Sequence, residues 1–316
     1  MEIPMSAIPY PLDPMGSNLG PYFELVVKPG ILGDSLTYGF TPYWKTGGYC
    51  KVIDWGDGSG EDATASGTIL THTYAAAGTY TISIKADCYR CMFGNNSTYA
   101  ALVYDANGNW DALGNITTGY NMFIYCGNAV FNFSELPKGM TSAQFMFYNC
   151  RKATLPLTSL PDGLTNGQFM FHSCTKATLP LTSLPDGLTI GQYMFYSCTK
   201  ATLPLTSLPA GLTNGASMFD SCTNATLHLT RLPDGISGNL ASAFNKASLT
   251  EINLDDLTAN APEGGWTDVT SISNMFYNAG SGNSPGTVTG SRSAFLAKFP
   301  NVTNTTNAFY GTNTTE

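Results

Sequence analysis

The most regular feature of the chain is an apolar pattern that returns every 24 residues through its middle. Each copy carries the motif Met-Phe-x-x-Cys, and most continue with alternating leucines and a Leu-Pro-x-x-Leu turn. One copy is too short to bury this apolar set alone, so neighbouring copies must stack. The period therefore predicts a solenoid, with constant residues inside and variable residues facing out. The motifs begin at Met122, Met146, Met170, Met194 and Met218.

Within a copy, the pattern predicts a short strand followed by a short helical segment. Leu179 and Leu181 alternate around Pro180, which favours a strand at an edge, where proline is tolerated. Residues 189–195 predict a helical or 3₁₀ turn that brings the next Met-Phe pair inward. We expect the repeated cysteines to be buried thiols that pack as small hydrophobes, because equivalent side chains in a stack point the same way.

The segment before the repeats has the pattern of short strands. Phe23–Val27 and residues 49–53 are apolar and β-branched, and residues 79–84 alternate with period two. Between them, Trp55-Gly-Asp-Gly-Ser59 predicts a tight turn whose glycines take positive φ.

That turn is followed by His72-Thr-Tyr74 and then by Gly78-Thr-Tyr-Thr. Three such elements in this order resemble the polycystic-kidney-disease (PKD) domain, an immunoglobulin-like β-sandwich. The resemblance spans about 70 residues. It implies a spacer or adhesion module of the kind found in surface and secreted proteins.

The repeats resemble the BspA-type leucine-rich repeats of bacterial and protist surface proteins, on the strength of Met-Phe-x-x-Cys followed by Leu. Degenerate copies at 268–276 and 301–309 keep a Val-Thr segment before Met275-Phe276 and Ala308-Phe309. Ala279 and Thr312 stand where these copies would carry the cysteine. We interpret them as capping coils, which a solenoid requires at its ends.

The sequence thus predicts a mainly β chain in three parts. Residues 1–22 hold five prolines and should form an extended arm. Residues 23–91 should form the PKD-like β-sandwich. Residues 92–316 should form a leucine-rich-repeat-like solenoid with 24-residue coils and degenerate capping coils.

Composition narrows the function classes. Only 11% of residues are charged and the net charge is −8, which argues against a nucleic-acid interface because that needs a basic face. No apolar run is long enough to span a membrane. The first 22 residues lack the basic and apolar regions of a signal peptide. A surface of Thr, Ser, Asn and Tyr suits an extracellular or virion protein.

No enzyme motif is present, and we expect no catalysis. The histidines His72, His172 and His228 have no nucleophile context such as G-x-S-x-G. The repeated cysteines lack the basic setting that activates a thiolate. Cys88-x-x-Cys91 has half the spacing of a zinc knuckle, but no second pair follows.

An acidic cluster lies at the predicted turn, where Asp54 and Asp57 are joined by Glu61 and Asp62. Carboxylate oxygens of this kind are calcium ligands. The alternative is a solvated turn in which Asp57 accepts hydrogen bonds from its own backbone. Calcium at Asp54 and Asp57 is the one cofactor that the sequence suggests.

The variable positions of the repeats give the candidate binding surface. Two rows recur at the 24-residue spacing, one aromatic and one basic. They predict a polar-aromatic groove for glycans or an acidic polymer; the alternative is a solvated face with neutralising carboxylates nearby. The candidate ligand-binding residues are Tyr148, His172, Tyr196, Lys152, Lys176 and Lys200.

These features favour a phage virion protein, such as a fibre or decoration protein, that touches host-surface glycans or proteins. Its arm at 1–22 would dock onto other virion proteins, and we expect it to work within an oligomer or assembly. A secreted or cell-surface bacterial adhesin is the alternative. Neither hypothesis involves nucleic acid or insertion into a membrane.

Overall fold

The computed structural model describes residues 22–225, 227–249, 252–280 and 288–316, and the chain is mainly β. The predicted arm lies, apart from Tyr22, outside the described residues. The strands are β1 (Phe23–Val27), β2 (Thr37–Tyr43), β3 (Cys50–Asp54), β4 (Glu61–Asp62), β5 (Leu70–Thr73), β6 (Tyr80–Ala86), β7 (Arg90–Met92), β8 (Val103–Ala106), β9 (Gly238–Asn239), β10 (Ile252–Asn253), β11 (Val269–Ser271) and β12 (Val288–Thr289). The helices are α1 (Ser97–Leu102), α2 (Leu254–Ala259) and α3 (Arg292–Leu296), and a 3₁₀ turn covers Trp110–Leu113.

The N-terminal region consists of two antiparallel sheets. One has the strand order β4-β3-β6-β1-β8 and the other has the order β5-β2-β7. The three strands predicted in this region are present as β1, β3 and β6, with bounds shifted by one or two residues in the last two. Strand β8 lies beyond residue 91 and pairs with β1, so the first sheet is completed by chain that follows the predicted end of the first domain.

Alternation of apolar and polar residues buries one face of these strands. Phe23, Leu25 and Val27 of β1 are fully buried, while the residues between them are exposed or half-buried. Phe40 of β2 contacts the ring of Trp55 at 6.1 Å between centroids, which joins the second sheet to the turn. That turn takes the predicted form, because both of its glycines have positive φ, 89° at Gly56 and 86° at Gly58.

The repeats lie side by side in register, each residue next to its equivalent in the following copy. Parallel bridges join Thr118, Ser142, Asn166, Ile190 and Asn214 in turn. The backbone bonds recur with the same length: the N–H groups of the three central motif phenylalanines each donate to the motif methionine of the next copy at 2.9 Å. The result is a ladder of hydrogen bonds that needs no long strand.

A column of stacked phenylalanine rings runs through the core. Successive ring centroids are 5.5 to 5.9 Å apart, close to the offset-stacked geometry that aromatic pairs prefer. Phe23 of β1 stacks on the first ring at 5.1 Å, so the column begins in the N-terminal sheets and continues into the repeats. The column consists of Phe93, Phe123, Phe147, Phe171, Phe195, Phe219, Phe244, Phe276 and Phe309.

The prediction of a strand around Pro180 is wrong, because the chain forms a turn there. Leu179 has φ of 43°, and the N–H of Leu181 donates to the carbonyl of Leu179 at 2.8 Å. Proline at the centre of this three-residue turn has no N–H to contribute to a ladder, so the leucines reach the core through a bend.

The predicted helical segment at 189–195 is also not a helix. Its bonds do span three residues, as in a 3₁₀ turn: Met194 donates to Gly191 at 3.0 Å and Tyr196 donates to Tyr193 at 3.3 Å. Left-handed residues interrupt it, because Tyr193 has φ of 54° and Ser197 has φ of 55°. Such a pair of left-handed residues, four positions apart, recurs in the other copies.

Short elements complete the described C-terminal part. Strands β9 and β11 pair in parallel, as do β10 and β12. Helix α3 is capped by Ser291, whose hydroxyl accepts from the N–H of Ala294 at 3.3 Å. Among the described residues, no helix has the length and apolarity that crossing a membrane requires.

Candidate functional site

The predicted aromatic row is a continuous stack on the surface of the repeats. The ring of His172 lies between those of Tyr148 and Tyr196, with centroid distances of 4.7 and 4.6 Å. All three side chains are half-buried. They come together because register stacking places each one directly beside its equivalent in the next copy.

A second aromatic row flanks the first. Phe145, Phe169 and Tyr193 stack at 4.8 Å, with ring planes within 7° of parallel. The two rows touch at their edges, for example where Phe145 meets Tyr148 at 5.7 Å. We call these six half-buried rings the aromatic face; its members are Tyr148, His172, Tyr196, Phe145, Phe169 and Tyr193.

The stacking decides how this face can bind. A ring in the middle of a stack has both faces covered by its neighbours, so it presents only its edge to a ligand. The rings stacked on both sides are His172 and Phe169, and these two cannot stack flat on a sugar. Tyr148 and Tyr196 lie at the ends of their row and add hydroxyls at their ring edges. Tyr125 differs, since it meets Tyr148 edge-on at 87° and its side chain is 40% exposed.

Burial within the stack affects His172. Loss of hydration lowers the pKa of its imidazole, because the charged form loses more solvation than the neutral form. Its Nδ1 lies 3.0 Å from the hydroxyl of Ser173. Burial in the stack therefore favours the neutral form of His172.

The far end of the row carries an acid in place of a ring. Asp220 is buried, and its carboxylate accepts from the hydroxyl of Ser221 at 2.7 Å and from Nδ2 of Asn245 at 3.1 Å. Burial raises its pKa. Asp220 ends the aromatic stack and does not extend the binding surface.

The side chains of the lysine row are exposed. Lys152, Lys176 and Lys200 occupy equivalent positions and reach into solvent. Within the described ranges, none of the ion pairs or cation–π contacts involves these three side chains. The three ammonium groups therefore form no direct ion pair with a described carboxylate, and the lysine row stays a predicted binding surface.

The two aspartates suggested for calcium serve the turn. Oδ1 of Asp54 accepts from the N–H groups of Gly56 and Gly58, at 2.6 and 3.1 Å. Asp57 accepts from the hydroxyl of Ser59 at 2.6 Å and lies 2.7 Å from Nε2 of His72. The Ser59 hydroxyl, followed by His72, lowers the pKa of Asp57 to about 2.

This arrangement matches the solvated turn of the sequence analysis. In the described part of the chain, no three His, Cys, Asp or Glu side chains are grouped to hold a metal ion. Calcium at Asp54 and Asp57 stays a prediction. His72 has a structural place, since its ring stacks on Trp55 at 5.1 Å and holds the turn against the sheet.

The cysteines fall into two groups. Those of the repeats are buried, and each thiol from Cys150 to Cys222 donates to a phenylalanine carbonyl of the preceding copy. Burial raises the pKa of these thiols. Cys50, Cys88 and Cys91 form a separate buried cluster, in which hydrogen bonds from Cys50 and then Cys91 lower the pKa of Cys88.

Sequence reasoning missed a cavity at the junction of the N-terminal sheets with the first repeats. It has a volume of about 560 Å³ and lies between residues 108–116 and residues 132–139. A half-buried Trp110 lines it. The only signal in the sequence is an isolated tryptophan among asparagines, which is too weak to have identified a site.

Comparisons with known proteins add no relative to this picture. No protein-family model, no curated protein and no solved structure matches this chain.

Proposed function

We propose that this chain is a non-enzymatic surface-binding protein of a phage virion, a fibre or decoration protein that contacts host-surface glycans or proteins. In this proposal the antiparallel sheets form a PKD-like β-sandwich that acts as a spacer. The stacked repeats form a leucine-rich-repeat-like solenoid that carries the binding surface. The low content of charged residues, 11%, supports a place on an extracellular or virion surface.

The observation that carries the proposal is the aromatic face. Six half-buried rings in two rows form a contiguous aromatic patch on the surface, and such patches usually mark binding sites. Each ring is fixed by its neighbours, so a ligand meets a surface that loses little conformational entropy on binding. Rigidity and repetition both favour an extended ligand with repeating units.

Hydroxyl groups are the chemistry that these ring edges match. The hydroxyls of Tyr148 and Tyr196 can donate and accept, as the hydroxyls of a sugar can. Beside the rings, Gln144, Gln168 and Gln192 form an amide ladder with bonds of 2.5 and 2.8 Å. A glycan lying along the face would hydrogen-bond to the ring edges of Tyr148, His172 and Tyr196.

The lysine row supports a ligand with acidic groups. Lys152, Lys176 and Lys200 would be brought close together by the register of the repeats, and neighbouring equal charges repel unless anions lie between them. A polymer with regularly spaced carboxylates or phosphates would relieve this repulsion. The proposal therefore includes acidic host-surface glycans that bind this row.

The experiment compares glycan-array binding of the intact protein with that of a Tyr148→Phe/Tyr196→Phe variant. These substitutions remove two hydroxyls and leave the stack in place, so the fold should be kept. We expect the variant to lose about tenfold or more in affinity, the scale of two lost hydrogen bonds. Tyr310→Phe, which removes an exposed hydroxyl far from the aromatic face, is the matched control.

A second variant tests the lysine row. Lys176→Glu in its middle should weaken binding to acidic glycans and leave binding to neutral glycans unchanged. The proposal is wrong if the folded wild-type protein binds no glycan or surface protein, or if the double tyrosine variant and Lys176→Glu both bind as the wild type does.

A further inference from the structure

The cavity at the junction has the size and walls of a small-molecule site. Its volume of about 560 Å³ lies within the range of ligand pockets, roughly 300–1,000 Å³. One wall comes from the 3₁₀ turn and the chain after it, and the other comes from the first repeats. The described part of the molecule thus places a ligand-sized cavity where its two regions meet.

Trp110 is held in a fixed orientation in the wall of this cavity. Its indole Nε1 donates to the carbonyl of Glu135 at 3.0 Å, which ties the two walls together. Its ring meets Phe133 edge-on at 4.9 Å and Phe23 at 5.4 Å. A half-buried aromatic ring fixed from behind is a suitable platform for an apolar sugar face.

The polar groups of the cavity are available to a ligand. Among the described residues, no hydrogen bond or ion pair engages the side chains of Asp111, Asn115, Glu135 and Lys138. Asp111, Asn115, Glu135 and Lys138 are all exposed. Carboxylate and amide groups offer both acceptors and donors, which is what the hydroxyls of a sugar need.

A second cavity continues the first along the repeats. It has a volume of about 310 Å³, shares Glu135 and Lys138 with the first, and adds Ser159 and Asp162 from the next copy. Because they share lining residues, the two cavities form one continuous groove. Its charged side chains are the carboxylates of Asp111, Glu135 and Asp162 and the single ammonium of Lys138.

We infer that this junction groove binds an oligosaccharide that carries amino groups and no acidic groups. Trp110 stacks on one sugar ring, and Asp111 and Glu135 accept hydrogen bonds from its hydroxyl or ammonium groups. The excess of carboxylates repels an acidic glycan, in contrast to the lysine row. None of the residues that line the groove belongs to the aromatic face, so the two sites can be tested independently of each other.

Three trisaccharides of equal length test the inference: those of glucosamine, N-acetylglucosamine and galacturonic acid. Binding to the intact protein is followed by isothermal titration calorimetry and by tryptophan fluorescence, to which Trp110 contributes as one of four tryptophans. We expect the affinity to decrease from glucosamine to N-acetylglucosamine, with no binding of galacturonic acid. The Asp111→Asn/Glu135→Gln variant should bind the glucosamine trimer at least about tenfold more weakly, because charged hydrogen bonds are lost.

Two controls make the outcome specific. Asp186→Asn changes the equivalent turn one copy beyond Asp162, outside both cavities, and should bind as the wild type does. Tyr148→Phe/Tyr196→Phe alters the aromatic face and should also keep this affinity. The inference is overturned if no trimer binds, if the galacturonic acid trimer binds as well as the glucosamine trimer, or if Asp111→Asn/Glu135→Gln binds unchanged.

Discussion

The N-terminal sheets and the repeats build similar hydrogen-bond ladders by different means. In the sheets, strands far apart in sequence pair antiparallel, as when Phe23 faces Ile84, and unlike residues meet across each pair. In the repeats, each residue lies beside its own equivalent, and the chain advances through turns with two left-handed residues per copy.

This difference determines how a substitution affects the packing of its neighbours. A residue in a strand packs against residues of other types, which can adjust their positions when it is replaced. A residue in the column, such as Phe171, meets the same residue on both sides, at 5.7 and 5.5 Å. A change in one copy is therefore a packing defect for the copies on both sides of it.

Removing a ring from the middle of the column should cost more than removing one from its end. We expect Phe171→Ala to lower the free energy of unfolding by about 3–5 kcal/mol, since it leaves a cavity between two rings. Phe309→Ala at the described end has one column neighbour and should cost about 1.5–3 kcal/mol. Urea unfolding measures both, and equal losses would contradict an ordered column.

Glycine at a left-handed position should stabilise the repeats. Ser197 has φ of 55°, a conformation that costs a residue with a side chain about 1–2 kcal/mol and costs glycine little. We expect Ser197→Gly to raise the free energy of unfolding by about 0.5–1 kcal/mol after the entropy of the unfolded chain is included. The same change at exposed Ser207, which lacks positive φ, should instead be destabilising.

The turn in the sheets should lose stability in strong acid. The pKa of Asp57 is lowered to about 2, so its contribution is complete above the ordinary aspartate value near pH 3.9 and is lost as the pH falls to about 2. The Asp57→Asn variant should be less stable than the wild type at pH 6, and its stability should decrease less than that of the wild type between pH 4 and pH 2. Thermal unfolding across this range, with Asp34→Asn as control, checks the prediction; parallel wild-type and variant curves would contradict it.

The aromatic face should respond to milder acid. Burial lowers the pKa of His172, so its contribution to stability is fully present above the ordinary histidine pKa near 6.5. This contribution decreases as the pH drops below that value. His172→Tyr continues the stack between Tyr148 and Tyr196 and should remove this dependence. Melting temperatures from pH 7.5 to 5 measure the effect, and the exposed His228→Gln should leave it unchanged.

Periodicity made the interior of the repeats predictable. Met-Phe-x-x-Cys recurs at a fixed spacing, so burial of Met170, Phe171 and Cys174 follows from the need to stack. Strands β1, β3 and β6 and the turn at Gly56 and Gly58 were also predicted, because alternation and glycine placement are local signals. The other strands of the two sheets were not predicted.

The backbone of the repeats could not be predicted from the same pattern. Phe169 and Tyr193 take left-handed φ of 56° and 54°, which local preference disfavours for such residues and only the stack enforces. The same holds for the turn that replaced the strand at Leu179. The junction cavity was hidden for another reason: it depends on contacts such as that between Trp110 and Glu135, which no sequence pattern connects.

The aromatic row could be predicted only in part. Its members were identified from their variable positions, but the covering of their ring faces follows from distances of 4.6 and 4.7 Å that only the structure provides. That spacing leaves His172 only its ring edge for a ligand.

The decisive measurement is glycan-array binding of the intact protein beside Tyr148→Phe/Tyr196→Phe and Tyr310→Phe. If a glycan lies on the aromatic face, the wild type and Tyr310→Phe bind the same glycans, and the double variant loses about tenfold or more in affinity. Binding by the double variant at wild-type strength would contradict a ligand that lies on the aromatic face.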